Sequence, residues 1–253
     1  MIVLFTDFGL EGPYVGQVKA VLHIAAPEIT VIDLFANAPA HNPKSSSYLL
    51  GAYSGGFPDG AVFLAVVDPG VGGNRCALAV RAGRYWYVGP DNGLAENFIR
   101  RQEVDSGDNL DVWQIVWKPE ECSSSFHGRD IFAPIAARIA GGENPDADTD
   151  SFRRTVAARI RKPDWPHDLN EIVYIDRFGN AITGVRINSL ESGQTLEVNG
   201  ISLKRAETFT DVSPGDMFCY GNANGLMEIA VNQKRADEVL RLEIGKAVSV
   251  IRL

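Results

Sequence analysis

The chain has 253 residues and a formal net charge of −8 at pH 7, with 24 lysines and arginines against 32 aspartates and glutamates. That length buries a sizeable core as one large or two modest domains, and the acidic balance excludes the basic footprint that binding a phosphate backbone requires. A small molecule, not nucleic acid, is the expected partner. Cys76, Cys122 and Cys219 are widely spaced, show no CxxC or His pairing, and read as reduced thiols, with neither a disulfide framework nor a zinc site. No apolar run approaches the about 20 residues that span a bilayer. MIVLFTDFG also lacks the basic n-region of a signal peptide, so the expected setting is cytoplasmic, with no membrane partner.

Short β-rich runs alternate with helical patterns along the first half. Ile2 to Phe5, Val31 to Leu34 and Ala61 to Val67 read as strands, and Tyr14 to Ile24 and Ser45 to Tyr53 as helices. Tyr14, Val15, Val18, Val21 and Leu22 recur at helical spacing behind the start signal Gly12-Pro13. Further strands are expected at Cys76 to Arg81, Tyr85 to Val88 and Val112 to Val116, and a helix at Ile131 to Ala140, ended by Gly141-Gly142. Such alternation predicts a layered α/β domain with a mostly parallel sheet over residues 1–160.

Residues 161–170, RKPDWPHDLN, carry two prolines and several charges and read as a linker. Beyond it the character changes to short strands: Glu171 to Ile175, Ala181 to Ile187, Thr195 to Val198, Ile201 to Leu203, Met217 to Tyr220, Met227 to Val231 and Ala247 to Ile251. Asn199-Gly200 carries a hairpin signal. Residues 171–253 therefore read as a small antiparallel β-barrel-like or sandwich domain. No repeat or low-complexity tract is present.

Several clusters carry chemistry-bearing side chains, each with a plainer reading beside it. Asp7, at the tip of the first strand, suits the vicinal hydroxyls of a ribose or the N-cap of the next helix. No GxGxxG or GxxxxGK[ST] occurs, so phosphate cradling is not expected. Asp68-Pro69-Gly70-Val71-Gly72-Gly73 ends in reach of Arg75, either as a surface ion pair or as a carboxylate held in a dry pocket. His127 lies in a polar loop just before a helix, where its ordinary titration range suits proton transfer. In the second half, Asp176-Arg177-Phe178-Gly179-Asn180 offers a ring to stack on a purine and an amide to read its edge; the residues alone fit equally a hairpin turn with one core Phe. The run from Tyr220 to Asn232 is open in the same way.

Taken in series, TDFG at 6–9, YVGQVKAV at 14–21, VDPGVGGNR at 67–75, GPDNGL at 89–94, FHGRDIFAP at 126–134, IDRFGN at 175–180 and NANGLMEIAVN at 222–232 resemble the S-adenosylmethionine hydroxide adenosyltransferases, relatives of the fluorinase and chlorinase. The resemblance implies hydrolysis of S-adenosyl-L-methionine (SAM) to adenosine and L-methionine, with SAM as substrate and no cofactor or metal. It implies an N-terminal α/β domain, a C-terminal barrel-like domain, and a homotrimer whose sites lie between the first domain of one subunit and the second of its neighbour. Asp68, Arg75 and His127 match the hydrolytic set: Asp68 and His127 hold and deprotonate the water, and Arg75 fixes Asp68. Asp7 takes the ribose hydroxyls, Phe178 and Asn180 the adenine, Val231 offers backbone atoms to it, and Asp176 with Asn222 and Ala223 takes the methionine end; Glu228 completes the substrate-binding set. One departure stands out: family members commonly carry an acid where this chain has Gly12, a place Glu11 could fill. The competing readings are a chloride-dependent adenosyltransferase of the same family and a non-catalytic adenosine-binding module.

Overall fold

Uncharged five-residue runs make the middle of the first half. The computed structural model describes residues 1–107 and 109–252; Asp108 and Leu253, which fall inside the two expected domains, lie outside the described residues. Two compact units divide the chain, Met1–Lys162 and the part from Pro163 onward. In the first, β1 (Ile2–Thr6), α1 (Tyr14–Ala25), β2 (Val31–Phe35), α2 (Pro43–Tyr53), β3 (Val62–Val66), β4 (Ala77–Ala82), β5 (Tyr85–Pro90), α3 (Glu96–Ser106), β6 (Leu110–Ile115), α4 (Ala133–Ala140) and β7 (Phe152–Thr155) follow in order. The strands form one sheet in the order β2-β1-β3-β5-β4-β6-β7.

Every residue of β1 and β3 is buried, as strands covered on both faces must be. Ile2, Leu4, Val62, Leu64 and Val66 share a core with Val18 and Leu22 of α1 and with Ile135, Ala136 and Ile139 of α4. The alternate side chains face the other layer: Phe63 packs on Phe98 of α3 with ring centroids 5.2 Å apart, and Phe5 pairs across the sheet with Phe35 of β2 at 5.7 Å. β2, β1, β3 and β5 are parallel neighbours, whereas β4, β6 and β7 join antiparallel. The reason is the connection: β4 and β5 are joined by Gly83-Arg84 alone, and a two-residue turn reverses the chain, while a parallel pair needs a crossover.

Three features of this unit and its boundary differ from the sequence reading. The helix expected from Ile131 begins as a π-helical turn, Gly128–Phe132, and becomes α-helical only at Ala133, with Pro134 in its first turn. Pro134 has no N–H to return to the carbonyl four residues back, so it belongs at a helix start. α3 escapes a periodicity reading because a core-facing position is charged: Glu96 is 1% exposed, and Arg100 Nε donates to it at 2.6 Å. Arg161 pairs with Glu96 at 3.1 Å and with Glu103, and the Lys162 N–H donates to Glu96 at 2.8 Å. Arg161 and Lys162 are thus held to the first unit, and the expected linker at 161–170 shortens from both ends, since β8 begins at Leu169.

The second unit holds β8 (Leu169–Ile175), β9 (Ala181–Arg186), β10 (Gln194–Val198), β11 (Ile201–Ser202), β12 (Lys204–Arg205), β13 (Met217–Gly221), β14 (Leu226–Val231), α5 (Ala236–Leu240) and β15 (Ser249–Arg252). They form a five-stranded sheet, β12-β13-β14-β9-β8, and a three-stranded one, β11-β10-β15, around a core of Ile172, Val185, Leu196, Met227, Ile229 and Val248. The antiparallel expectation holds, in its sandwich form: among the described residues there are two sheets and no closed barrel. Asn199 and Gly200 have φ of 53° and 74°, the two positive values of a type I′ turn, and join β10 to β11 as predicted.

The Glu96 cluster gives a stability test. Burial pushes this carboxyl up, but Arg161 and the Lys162 N–H outweigh it and bring the group below its ordinary 4.5. Its contribution is therefore complete above about pH 4.5 and lost as the pH falls through the folded value. Glu96→Ala leaves two arginines without their shared partner and should cost roughly 3 to 5 kcal/mol at pH 7 by denaturant melts. The deficit should shrink below pH 4.5.

Candidate functional site

Asp7 and Asp68 stand where two parallel strands end together. β1 and β3 pair in register from Ile2↔Val62 to Thr6↔Val66, so Asp7 leaves the sheet beside the loop that opens with Asp68. This is the carboxyl edge of the sheet, where open α/β folds place ligand-binding groups. Asp7 caps no helix, because α1 has Pro13 at its N-cap and no side-chain cap; its Oδ2 accepts the His41 N–H at 3.1 Å. Burial raises the Asp7 pKa, the His41 N–H opposes that, and the negative charge of Asp68 adds to the rise.

Asp68, Arg75 and His127 meet. Arg75 Nε donates to Asp68 Oδ1 and Oδ2 at 3.0 and 2.9 Å, and Nη2 donates to Oδ2 as well. The same Nη2 lies 3.0 Å from His127 Nδ1. The Asp68 side chain is 4% exposed and that of Arg75 11%, which rules out the surface-pair reading. Beneath them the Phe132 ring lies 5.1 Å from the guanidinium carbon. The loop between Asp68 and Arg75 is closed over the 123–126 loop at Gly72, whose φ is +77° and where a Cβ would collide with the Ser124 carbonyl oxygen.

Guanidinium has no lone pair to offer, so His127 Nδ1 must be the acceptor and the ring is neutral with its proton on Nε2. The electrostatics agree in direction: burial and then the Arg75 charge hold the His127 pKa below its ordinary 6.5, against Asp68 and Asp130. His127 thus receives through Nδ1 and keeps its proton on Nε2. Next to it Phe8, Tyr14 and Phe126 pack ring against ring, with centroids 5.4 to 6.1 Å apart. The Tyr14 ring covers Gly12, whose added Cβ would stand 3.1 Å from Tyr14 Cδ2, and Glu11 is exposed.

In the second unit one cavity of about 780 Å³ is lined by Asp176, Phe178, Asn180, Asn222, Ala223, Glu228 and Val231, all seven of that unit's candidates. The turn between β8 and β9 is shaped by Asp176, whose Oδ1 accepts the Phe178 and Asn180 N–H groups at 2.8 Å each. Asn180 Nδ2 donates to its Oδ2 at 3.3 Å. Phe178 is not a core residue: it is 74% exposed at the tip of that turn. Glu228 is buried at the cavity wall, accepting the Tyr220 hydroxyl at 2.5 Å and Asn222 Nδ2 at 3.1 Å. Burial raises the Glu228 pKa, the two donors temper the rise, and Asp176 adds to it; burial and Glu228 together push Tyr220 upward.

The description SAM hydroxide adenosyltransferase N-terminal domain matches residues 2–148, and SAM hydroxide adenosyltransferase C-terminal domain matches residues 170–249. The chain belongs to the SAM hydroxide adenosyltransferase family. A protein of Thermus thermophilus named (R)-S-adenosyl-L-methionine hydrolase is 37% identical over 265 residues, covering 99% of this chain and 99% of that one. A fluorinase of Actinopolyspora mzabensis is 24% identical over 294 residues, covering 100% and 97%. The crystal structure of an uncharacterized conserved protein from Thermotoga maritima matches with a TM-score of 0.85 at 28% identity, over 99% of this chain and 100% of that one.

In this member of the SAM hydroxide adenosyltransferase family, sequence reading missed Phe209, Gln233, Lys234 and Arg235, which also line the cavity, and left Tyr220 inside a run open to either reading. Gln233 has φ of 61°, a left-handed turn residue that no glycine marks in the sequence. The Arg75 bridge can be checked directly. Arg75→Met removes the cation that depresses His127 and leaves Asp68 to favour its charged form, so the imidazole midpoint should rise. Imidazole ¹⁵N shifts followed against pH should show that rise, and in the parent an Nε2–H tautomer; an Nδ1–H tautomer contradicts the assignment.

Proposed function

We propose that the chain hydrolyses SAM to adenosine and L-methionine. Water attacks the ribose C5′, the C5′–S bond breaks with its electron pair going to sulfur, and the water proton passes to the protein. The sulfonium is already a good leaving group, so orientation and deprotonation of the water are what the protein must supply. The observation that carries this reading is the dry Asp68–Arg75–His127 bridge at the carboxyl edge of the sheet, in a family whose relatives at 27 to 37% identity bear the hydrolase name. Asp68 is the proposed proton acceptor. His127, with Nδ1 engaged and a proton on Nε2, is the group that donates to the water oxygen and aims it; Arg75 keeps both in place and offsets the developing hydroxide charge.

Asp7 is proposed to take the ribose hydroxyls, Phe178 to stack on the adenine, Asn180 and the Val231 backbone to meet its edge, and Asp176, Asn222 and Ala223 to meet the methionine end, with Glu228 supporting Asn222. The names of the hydrolase relatives specify an (R) form. Since the L prefix already fixes the amino-acid carbon, that descriptor refers to the sulfonium, and the (R) epimer at sulfur is the proposed substrate. A homotrimer with each site shared between neighbouring subunits is proposed on the family resemblance, supported by the division of the candidates between the two units. Three unpaired cysteines suit a reducing, cytoplasmic setting, and among the described residues no helix is long and apolar enough to cross a membrane. A chloride transferase is the less favoured reading, because a halide would have to approach beside the Asp68 carboxylate.

In H₂¹⁸O the adenosine formed should carry label at O5′, and with chloride present no 5′-chloro-5′-deoxyadenosine should appear; the chlorinated product sinks the hydrolase reading. Asp68→Asn should lower kcat by about 10² to 10⁴ while adenosine still binds, and turnover of the (R) epimer should exceed that of the (S) epimer. At SAM well below the parental KM, a mixture of Asp68→Asn and Phe178→Ala subunits, refolded together, should be more active than the two variants assayed apart and summed. No excess over that sum would place each site within one chain.

A further inference from the structure

The turn that carries Phe178 is fastened from outside the hairpin. Arg235, the residue before α5, donates from Nη1 to the Arg177 carbonyl at 2.9 Å and from Nη2 to Asp237 Oδ2 at 2.8 Å, and its Nε lies 3.3 Å from Glu238 Oε1. The Asp237 N–H donates to the Gly179 carbonyl at 3.0 Å. From the inner side Asp176 accepts the N–H groups of Phe178 and Asn180. Phe178 therefore has a backbone anchor on either side from the α5 segment and a third from Asp176.

Gly179 shows how close the two segments are. Its φ is +84°, and a Cβ there would stand 2.5 Å from Asp237 Oδ1 and 2.7 Å from Arg235 Cβ, so glycine alone fits. Between these anchors Phe178, 74% exposed as a residue, stands on the cavity wall. An exposed ring on a loose loop would lose backbone freedom each time a planar ligand stacked on it, and that loss would be subtracted from affinity. A ring on a fastened turn has lost that freedom on folding.

We infer that Arg235 is a positioning residue of the base subsite: with Asp237 it holds the 176–180 turn so that the Phe178 ring is presented ready to stack on the heterocycle of the substrate. The inference rests on the reading of Phe178 as the ring that stacks on the purine. A fork is needed for the task, since one group must reach the Arg177 carbonyl and the Asp237 carboxylate at once; a lysine ammonium offers one point, not two.

The test is steady-state kinetics on SAM and calorimetric binding of adenosine for the full-length parent, Phe178→Ala, Arg235→Ala, Arg235→Lys and the double variant Phe178→Ala/Arg235→Ala. Loss of base stacking should raise KM about tenfold in Phe178→Ala. Arg235→Ala should raise KM and weaken adenosine by about fivefold with kcat within twofold, Arg235→Lys by less, and the double variant should bind no more weakly than Phe178→Ala alone. Effects of the two single changes that multiply in the double variant, or an Arg235→Ala protein that loses kcat with KM unchanged, overturn the inference. Should Arg235→Ala not fold, Arg235→Lys decides: a KM-selective loss supports the role and parental KM defeats it. Parental KM and adenosine binding in Phe178→Ala would instead overturn the stacking reading, and the inference with it.

Discussion

A guanidinium shielded from water, with one nitrogen shared between a carboxylate and an imidazole, is the interaction on which the first unit's chemistry depends. Arg75 lies seven residues from Asp68 but fifty-two from His127, so its contacts join the loop after β3 to the segment that enters the π-helical turn. Remove the cation, and a nearly buried carboxylate is left beside a neutral ring with nothing between them; breaking such an arrangement costs more than the arrangement itself contributes. The close approach at Gly72 and the Phe132 ring beneath the guanidinium both follow from this packing. The π-turn matters for the same reason: one extra residue in that turn re-aims what precedes it, which is why such turns recur at functional sites.

The second unit solves a different problem, that of presenting polar and aromatic groups without letting them collapse on each other. Asp176 is used by its own turn, accepting two backbone N–H groups. Glu228, out of water, is satisfied by Tyr220 and Asn222. The amides that remain are thus oriented by carboxylates that do not themselves leave the wall. The turn that carries Phe178 is held by hydrogen bonds to backbone, while Phe209 and Tyr220 on the same wall pack against Phe218.

Much of this was legible in the sequence, for identifiable reasons. β1 and β3 announce themselves because strands buried on both faces are uninterrupted apolar runs, and Asn199-Gly200 announces its turn because both positions need positive φ. α3 was hidden, since Glu96 faces the core and only its arginines make that tolerable. The antiparallel half of the sheet was hidden in a two-residue turn that reads as ordinary loop. At the site, the residue types were visible but their company was not: nothing local says that Arg75 reaches His127, that Asp7 serves His41 and no helix, or that Phe178 points away from the core. The tautomer of His127 depends on a contact across fifty-two positions and could come only from three dimensions.

The two strands that place Asp7 and Asp68 have a further property. IVLFT and VFLAV are uncharged, β-prone and free of proline, the composition that nucleates intermolecular cross-β stacking whenever such segments are exposed. Their pairing in the sheet joins residues sixty positions apart, and distant pairings of this kind form late in folding. Until then, Asp7 and Asp68 are the charges that immediately follow these segments, and a flanking charge is what discourages a neighbouring chain from adding on. The carboxylates of the candidate site thus stand where a charge works against intermolecular stacking, at the ends of two apolar strands.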